Sequence, residues 1–444
     1  MLGRPVARDG MYVLGAQGIA MLIALVADRF LFRGLQLSER GTLATVLGMR
    51  TIMLYIADMG IQLMTVRVGA QYVAKGMLKE ANAIFRRALV FRLLAAIGVA
   101  FLSVSLSELL CTQLLQASDR RLLVFSSAAA LIGMTTVAWG LDVSQCRRRF
   151  GAYFAQYIAE AVLRAAAIVY VLHWMTGPAS RSSEMVLWMM AAAVTLAAMI
   201  SILIERAAFA DAKGLGLAAP AKVGEDLRAF IPYATAATFL GMVGLYTELF
   251  LLQRLRGPEE AAVFEGARRL GSLLPLITAG IATVLLPRAS ALESLEQCRE
   301  YIRKAVRWTV PLACIFSGGL ALTAGIVVPL MWGDRYDASI TPLRWICLAH
   351  ALSFVATPLS FVLYPLKRPG LVVLLNGLNL ALSLMFGWWL INTHGALGAA
   401  WSMLIVRSIV ALATGLVIYS VANAVSNVEC RVPNAAPGGE TPAK

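Results

Sequence analysis

Charge is what this chain has least of: only 14% of its 444 residues are Asp, Glu, Lys or Arg, against about 25% in soluble domains. That deficit excludes a protein kept in solution by its own surface. Cysteine is sparse and scattered, at Cys111, Cys146, Cys298, Cys314, Cys347 and Cys430. Without a CxxC or a Cys/His spacing, neither a zinc site nor a disulfide framework is indicated. No G-x-x-x-x-G-K-[ST] loop is present, so the chain carries no P-loop for nucleotide hydrolysis. The G-x-S-x-G elbow and the H-E-x-x-H helix are absent too. No metal, cofactor or catalytic residue is expected, and the chain reads as a non-enzyme.

What fills the chain is apolar. Hydrophobic residues make up 59% of it, and the mean hydropathy is +0.74. A bilayer core needs roughly 20 apolar residues per helix, and runs of that length recur from end to end. They are continuous rather than alternating, so helices are expected and not a β-barrel. The expected spans in the first half are Met11–Leu31, Thr42–Met64, Ala88–Leu115, Leu122–Val143, Ala152–Leu172 and Met185–Ile204. Those in the second half are Phe230–Leu252, Ala261–Leu286, Trp308–Met331, Ile340–Tyr364, Leu371–Ile391 and Ala396–Ala422. The fold class is therefore all-α: a polytopic membrane protein of about twelve transmembrane helices. The first run has no small-residue cleavage exit and reads as a retained span.

The net charge of +14 reflects orientation rather than a nucleic-acid partner. Cytoplasmic loops of membrane proteins are rich in Lys and Arg. Arg86-Arg87, Arg147-Arg148-Arg149, Arg303-Lys304 and Lys367-Arg368 all fall on one side when both termini are cytoplasmic. The hydrophilic stretch Glu205 to Arg228, with Gly214, Gly216 and Pro220, divides the spans six and six. The expected organisation is an N-terminal lobe at 1–210, a cytoplasmic linker at 211–229 and a C-terminal lobe at 230–422. A disordered cytoplasmic tail would follow at 423–444, rich in Pro and Gly. Gly48-Met-Arg50 and Gly266-Ala-Arg268 form a short internal echo between the halves.

An ionisable group near mid-bilayer costs at least about 2.5–3.5 kcal/mol on insertion scales, so it faces a partner, a bundle interior or a cavity. Thr51, Tyr55, Asp58 and Gln62 make one polar stripe that Arg50 borders. Glu160 and Arg164 are spaced to pair on one helix face. Glu265, Arg268, Arg269, Ser272 and Pro275 share another, where one carboxylate cannot neutralise two guanidinium groups. Glu248 follows Gly241 and Gly244, which permit close helix approach. His350, Ser353, Thr357, Ser360 and Tyr364 form a polar row, as do Asn376, Asn379 and Ser383. Arg407 has no local partner, whereas Arg92, Asp142, Glu108 and Arg344 lie nearer the span ends, where they are expected to snorkel. Arginine suits phosphate through its planar fork of donors, so a polar cationic cavity with an anionic guest is the physical expectation.

Several ordered features resemble the polysaccharide-biosynthesis branch of the multidrug/oligosaccharidyl-lipid/polysaccharide exporter superfamily, the oligosaccharide flippases. They are Asp58-Met-Gly60 followed by Arg67 and Lys75, and Tyr246 to Gly257 leading to Leu285-Leu-Pro287-Arg-Ala-Ser290. Further on come Trp332-Gly-Asp-Arg-Tyr336, Pro342-Leu343 and Gly395-Ala-Leu-Gly-Ala-Ala400. One departure is Ala262-Val-Phe264, where the family often has Gly-x-Tyr.

The resemblance implies two six-helix lobes around a central cavity, working by alternating access in the bacterial inner membrane. Its cargo would be an undecaprenyl-pyrophosphate-linked oligosaccharide bound for O-antigen, capsule or exopolysaccharide. The implied partners are membrane lipids, a polysaccharide polymerase and a chain-length regulator. On this reading Arg50, Arg268 and Arg269, with Arg164 and Arg407 chosen on burial, hold the substrate. Asp58, Glu160, Glu248 and Glu265 tune charge or carry a coupling proton or sodium ion. Two rivals stand beside it: an ion-coupled exporter of organic cations from the same superfamily, and a non-transporting scaffold of a glycan synthesis complex.

Overall fold

The computed structural model describes residues 4–58, 60–116, 119–175, 182–209, 221–278, 295–360 and 369–429. The first half contains α1 (Arg4–Gly34), α2 (Leu37–Asp58), α3 (Ile61–Ala74), α4 (Leu78–Ser105), α5 (Arg121–Cys146), α6 (Phe150–Val169) and α7 (Ser183–Ile204). The second contains α8 (Ala221–Leu255), α9 (Pro258–Gly271), α10 (Leu295–Ala313), α11 (Gly319–Trp332), α12 (Ile340–Ser360) and α13 (Pro369–Glu429). Among the described residues there is no strand. Nine stretches among them are long and apolar enough to cross a bilayer, and one of these, Gly370–Leu416, contains two passes. The α2 helix is not one of the nine; Glu39, Arg40, Arg50 and Asp58 lower its apolar content.

Exposure is inverted relative to a water-soluble protein. Leu322, Phe101, Trp308 and Ile326 face outward, while Arg40, Arg92, Asp142 and Glu248 are buried. Lipid is the medium that tolerates such a surface, and helices satisfy their own backbone groups within it.

Four expected boundaries are redrawn. The span Thr42–Met64 is two helices, because Gly60 adopts φ 72° as the N-cap of α3. That left-handed conformation costs a side chain energy but not glycine. The eleventh and twelfth spans meet at Gly395, with φ 56° and ψ −131°. Residues 423–429, expected as tail, continue α13 to Glu429, since no helix breaker occurs before Pro433. Helix α8 begins at Ala221, ahead of the expected span start at Phe230.

The two halves meet along α2, α8 and α9. Small residues allow this approach: a Cβ on Gly41 would lie 1.7 Å from the Pro258 carbonyl oxygen. Gly48 lies against Tyr246 and Phe250 of the second half, and Gly266 lies near Phe32 of the first. Both glycines of the internal echo therefore face across the seam. Phe32 stacks on Trp332 at 4.1 Å and meets Tyr336 edge-on at 5.0 Å.

Polar contacts reinforce the seam at the end where α1 turns into α2. Arg29 Nη1 and Arg33 Nη2 donate to the Leu330 carbonyl at 2.6 and 2.8 Å, and Arg335 Nη2 donates to the Phe32 carbonyl at 2.5 Å. Asp28 receives Arg269 there, with Arg40 at 4.0 Å. Gln116 Nε2 donates to the Arg254 carbonyl at 2.7 Å. This end is sealed between the halves.

Candidate functional site

Local sequence shapes a cavity of about 610 Å³ within the second half. On α8, Gly241, Gly244, Leu245 and Glu248 recur at helical spacing and present one face to it. The glycines let α13 come close: Asn379 Nδ2 lies 2.6 Å from where a Gly244 Cβ would stand, and Asn376 Nδ2 donates to the Ala237 carbonyl at 2.8 Å. Helix α9 contributes Arg268, and α12 contributes His350, Ser353 and Thr357. The two arms of α13 supply Asn379 and Ser383, then Met403, Val406 and Arg407. His350, Ser353 and Thr357 of the α12 row thus line open space, as do Asn379 and Ser383 of the α13 row, while Asn376 bonds between helices. Tyr364 and the side chain of Ser360 lie outside the described residues.

Two arginines face that space with different holds. Arg268 Nε pairs with Glu265 Oε2 at 2.7 Å, and its guanidinium lies 5.0 Å from the centre of the Tyr246 ring. Arg407 Nη1 sits 2.8 Å from His350 Nδ1 and donates to Ser353 Oγ at 3.1 Å. No carboxylate reaches Arg407 within ion-pair distance among the described residues. Glu248, buried on α8, lies within electrostatic reach of both Arg268 and Arg407 and beside Ser383.

Arg50 is buried on the first-half side of the seam, within electrostatic reach of Tyr246, Arg164 and Glu160. Among the described residues its Nε has no hydrogen-bond partner. Glu160 and Arg164 pair at 3.6 Å, as their spacing predicts. Tyr246 therefore lies between Arg50 and Arg268, linking the two halves. Around it, Arg50, Arg164, Arg268 and Arg407 oppose Glu160, Glu248 and Glu265. One positive charge remains in excess, so the region is cationic by a narrow margin.

The remaining candidates lie elsewhere. Arg269, although adjacent to Arg268, turns to Asp28 of α1 at the sealed end. Asp58 joins Arg92 and Asp142 inside the first half, at 2.8 and 2.7 Å from Arg92 Nη2. Arg92 and Asp142, expected to snorkel from span ends, are instead almost wholly buried, because each is the other's counter-ion. Glu108 does lie at an exposed end, paired with Arg121 at 2.9 Å. Sequence reasoning passed over Tyr246, Asp28 and Arg40. The position of Tyr246 one helical turn below Phe250, opposite a glycine in the other half, was the available signal. The Leu285–Ser290 segment that carried part of the resemblance lies outside the described residues, as does the side chain of Arg67.

A polysaccharide biosynthesis protein family model matches residues 6–293, well over half of the chain. The lipid III flippase of Escherichia coli K12 is 23% identical over 143 residues, 32% of this chain and 34% of that protein. The same figures hold for the lipid III flippase of Shigella flexneri. The chain thus matches about a third of the length of these curated relatives. Among solved structures, a multidrug resistance MATE transporter of the MOP superfamily in an inward-facing conformation superposes with a TM-score of 0.77. Identity there is 13%, with 92% of this chain and 96% of that one covered. A MOP superfamily transporter from Pyrococcus furiosus gives a TM-score of 0.66 at 14% identity, covering 95% and 96%. At such identities the likeness shows the fold alone. The chain is thus a multi-pass membrane protein, and on the family match it belongs to the polysaccharide biosynthesis protein family.

Proposed function

We propose that this protein translocates an undecaprenyl-pyrophosphate-linked oligosaccharide across the bacterial inner membrane during surface polysaccharide synthesis. The observation that carries the reading is Arg407, a guanidinium facing a cavity of about 610 Å³ with no carboxylate at ion-pair distance among the described residues. A volume of that order suits a small-molecule headgroup. Arg407 and Arg268 offer charge-assisted donors to a pyrophosphate. Ser353, Asn379 and Ser383 supply hydroxyl and amide partners for sugar, and the lipid tail stays in the bilayer. Arg50 contributes from across Tyr246 as the halves move.

Alternating access requires one end sealed at a time. With both termini cytoplasmic, the seal around Asp28, Arg269 and Phe32 lies on the periplasmic side. The cargo then enters from the cytoplasm, and the seal breaks to release it towards the polymerase and chain-length regulator.

The test replaces Arg268 and Arg407 singly by Ala and by Lys in a deletion strain, with protein level and membrane insertion checked. Loss of surface polysaccharide, with partial recovery for Lys, is the expected result. Unchanged polysaccharide rejects the cavity as the cargo site. A fall in drug resistance instead transfers the site to an exporter of organic cations.

A further inference from the structure

The sealed end of the seam carries positive charge that the proposed cargo cavity does not use. Arg29 and Arg33 lie one helical turn apart on a single face of α1. Both donate to the Leu330 carbonyl of α11, at 2.6 and 2.8 Å, and Arg33 Nη2 also reaches the Pro329 carbonyl at 3.4 Å. From the second half, Arg335 Nη2 donates to the Phe32 carbonyl at 2.5 Å. Each of these three guanidinium groups crosses from one half to the other.

The C-terminus of α11 explains only part of this arrangement. The last carbonyls of a helix have no partner within it and carry about half a negative charge, so arginines cap them well. Backbone carbonyls are the only hydrogen-bond acceptors the three arginines find among the described residues, which leaves most of their N–H donors free. No carboxylate among those residues lies within ion-pair distance of any of the three. Asp28, beside Arg29 in the chain, is taken up by Arg269. Asp334 and Asp337, both exposed on one short 3-10 segment, are the acids that remain beside Arg335. Three positive charges therefore stand against two negative ones. Acidic residues whose side chains are not described fall in the sequence segments expected at the opposite, cytoplasmic end, and leave this count unchanged. Lys and Arg ordinarily gather at that cytoplasmic end, so on the orientation proposed above three unpaired arginines at the periplasmic end call for a partner.

The surroundings match a lipid. A cavity of about 400 Å³ is bounded by Arg33, Pro329, Trp332, Gly333, Asp334 and Arg335. Trp332, wholly buried and stacked on Phe32, closes it from the interior, so an occupant arrives from the bilayer side. Beside the arginines, Val26 and Phe30 of α1 and Ile326 and Leu330 of α11 expose apolar side chains. A phosphate on the arginines, with acyl chains along these side chains, satisfies both parts at once. The planar fork of arginine suits phosphate, and basic pockets between membrane helices take acidic head groups.

We propose that this edge binds the phosphate of an anionic phospholipid, which bridges α1 of the first half and the segment that follows α11 in the second. The lipid adds a tie between the halves at the sealed end and leaves the cargo cavity untouched. Its binding does not rest on the function proposed above.

The test uses the full chain purified in detergent and stripped of native lipid, without cargo, so it stands whether or not the flippase reading survives. Thermal unfolding is followed with dioleoyl phosphatidylglycerol, with dioleoyl phosphatidylcholine and with inorganic phosphate. Phosphatidylglycerol should raise Tm by a few degrees more than phosphatidylcholine does. Arg29→Gln combined with Arg33→Gln on the first half, and Arg335→Gln on the second, should each lose most of that extra rise. Arg303→Gln with Arg307→Gln, exposed on α10 at the other end, should keep it. Arg33→Gln alone, at an exposed position, replaces the double variant if that does not fold. No extra rise in the wild type, or one that survives in the variants of both halves, overturns the proposal. Loss in the variant of one half only overturns the bridge, and loss in the α10 pair moves the lipid to the cytoplasmic end. A rise with inorganic phosphate alone also overturns it, because the cavity is then a site for a free anion.

Discussion

The cavity of the second half and the cluster of the first are made from the same materials and put them to opposite use. Each places arginine and carboxylate side chains on helices that glycine interrupts or thins. In the first half Arg92 is 1% exposed and gripped by two carboxylates from two other helices. In the second, Arg407 meets His350 and Ser353 among the described residues and faces open volume. What separates a bracing arginine from an available one is not its depth in the membrane. It is whether a carboxylate on another helix reaches it.

The largest effect that could break this comparison belongs to Arg92. Arg92→Ala leaves Asp58 and Asp142 buried without their counter-ion, and losing one partner of such a group costs about 3–5 kcal/mol. The measurement is thermal unfolding in detergent together with yield after membrane extraction. A variant as stable as the wild type would remove the distinction between the two regions.

Gly41→Ala comes next. The added Cβ would stand 1.7 Å from the Pro258 carbonyl oxygen, a backbone atom that cannot rotate away. Helices α2 and α9 must part, so the sealed end loosens. A cysteine placed at Phe32 should then label several-fold faster with a water-soluble maleimide than in the wild-type background.

Arg407→Ala removes a guanidinium whose hydrogen-bond partners among the described residues are neutral and which no carboxylate there reaches at ion-pair distance, so stability should change by about 1 kcal/mol or less. Surface polysaccharide should nevertheless fall roughly tenfold, the scale of one charge-assisted hydrogen bond. Arg92→Ala and Arg407→Ala would then fail for different reasons, one in unfolding temperature and one in output at normal protein level.

The sequence made the helices legible because each pass needs a long apolar run, and ionisable residues inside such runs stand out. Local pairs were legible as well: Glu160 with Arg164, and Glu265 with Arg268, lie within one helical turn. Partners on different helices were not. Arg92 finds Asp58 and Asp142 through tertiary packing, and Arg269 finds Asp28 across the seam between the halves. Spacing carries no information about either. That is why Arg92 and Asp142 read as interfacial, and why Arg268 and Arg269 read as one site although they face different ones. The break at Gly60 was hidden for another reason. Glycine is tolerated inside a membrane helix, and only its φ of 72° shows that the chain turns there.

The smallest effect concerns the sealed end, where Glu39 anchors three elements. Its carboxylate accepts from Arg120 ahead of α5, and from the Ser183 backbone N–H and hydroxyl at 2.8 and 2.7 Å at the start of α7. Burial works against the charged form, but Arg120 and both Ser183 donors outweigh it and hold the carboxyl below its ordinary value. A carboxyl lowered in the folded state adds stability above its unfolded value. That stability disappears as pH falls through the lowered one. The contribution should therefore be complete at neutral pH and vanish in acid. Arg120 is 29% exposed, so solvent screens the pair and its share is about 1 kcal/mol or less. Glu39→Gln keeps an acceptor for Ser183 but has no charge to lose. Its unfolding temperature should start slightly lower than the wild type at neutral pH, and the two should converge in acid. If the gap between them stayed constant with pH, Glu39 would hold α2 to α7 by shape and hydrogen bonding, with its charge contributing nothing.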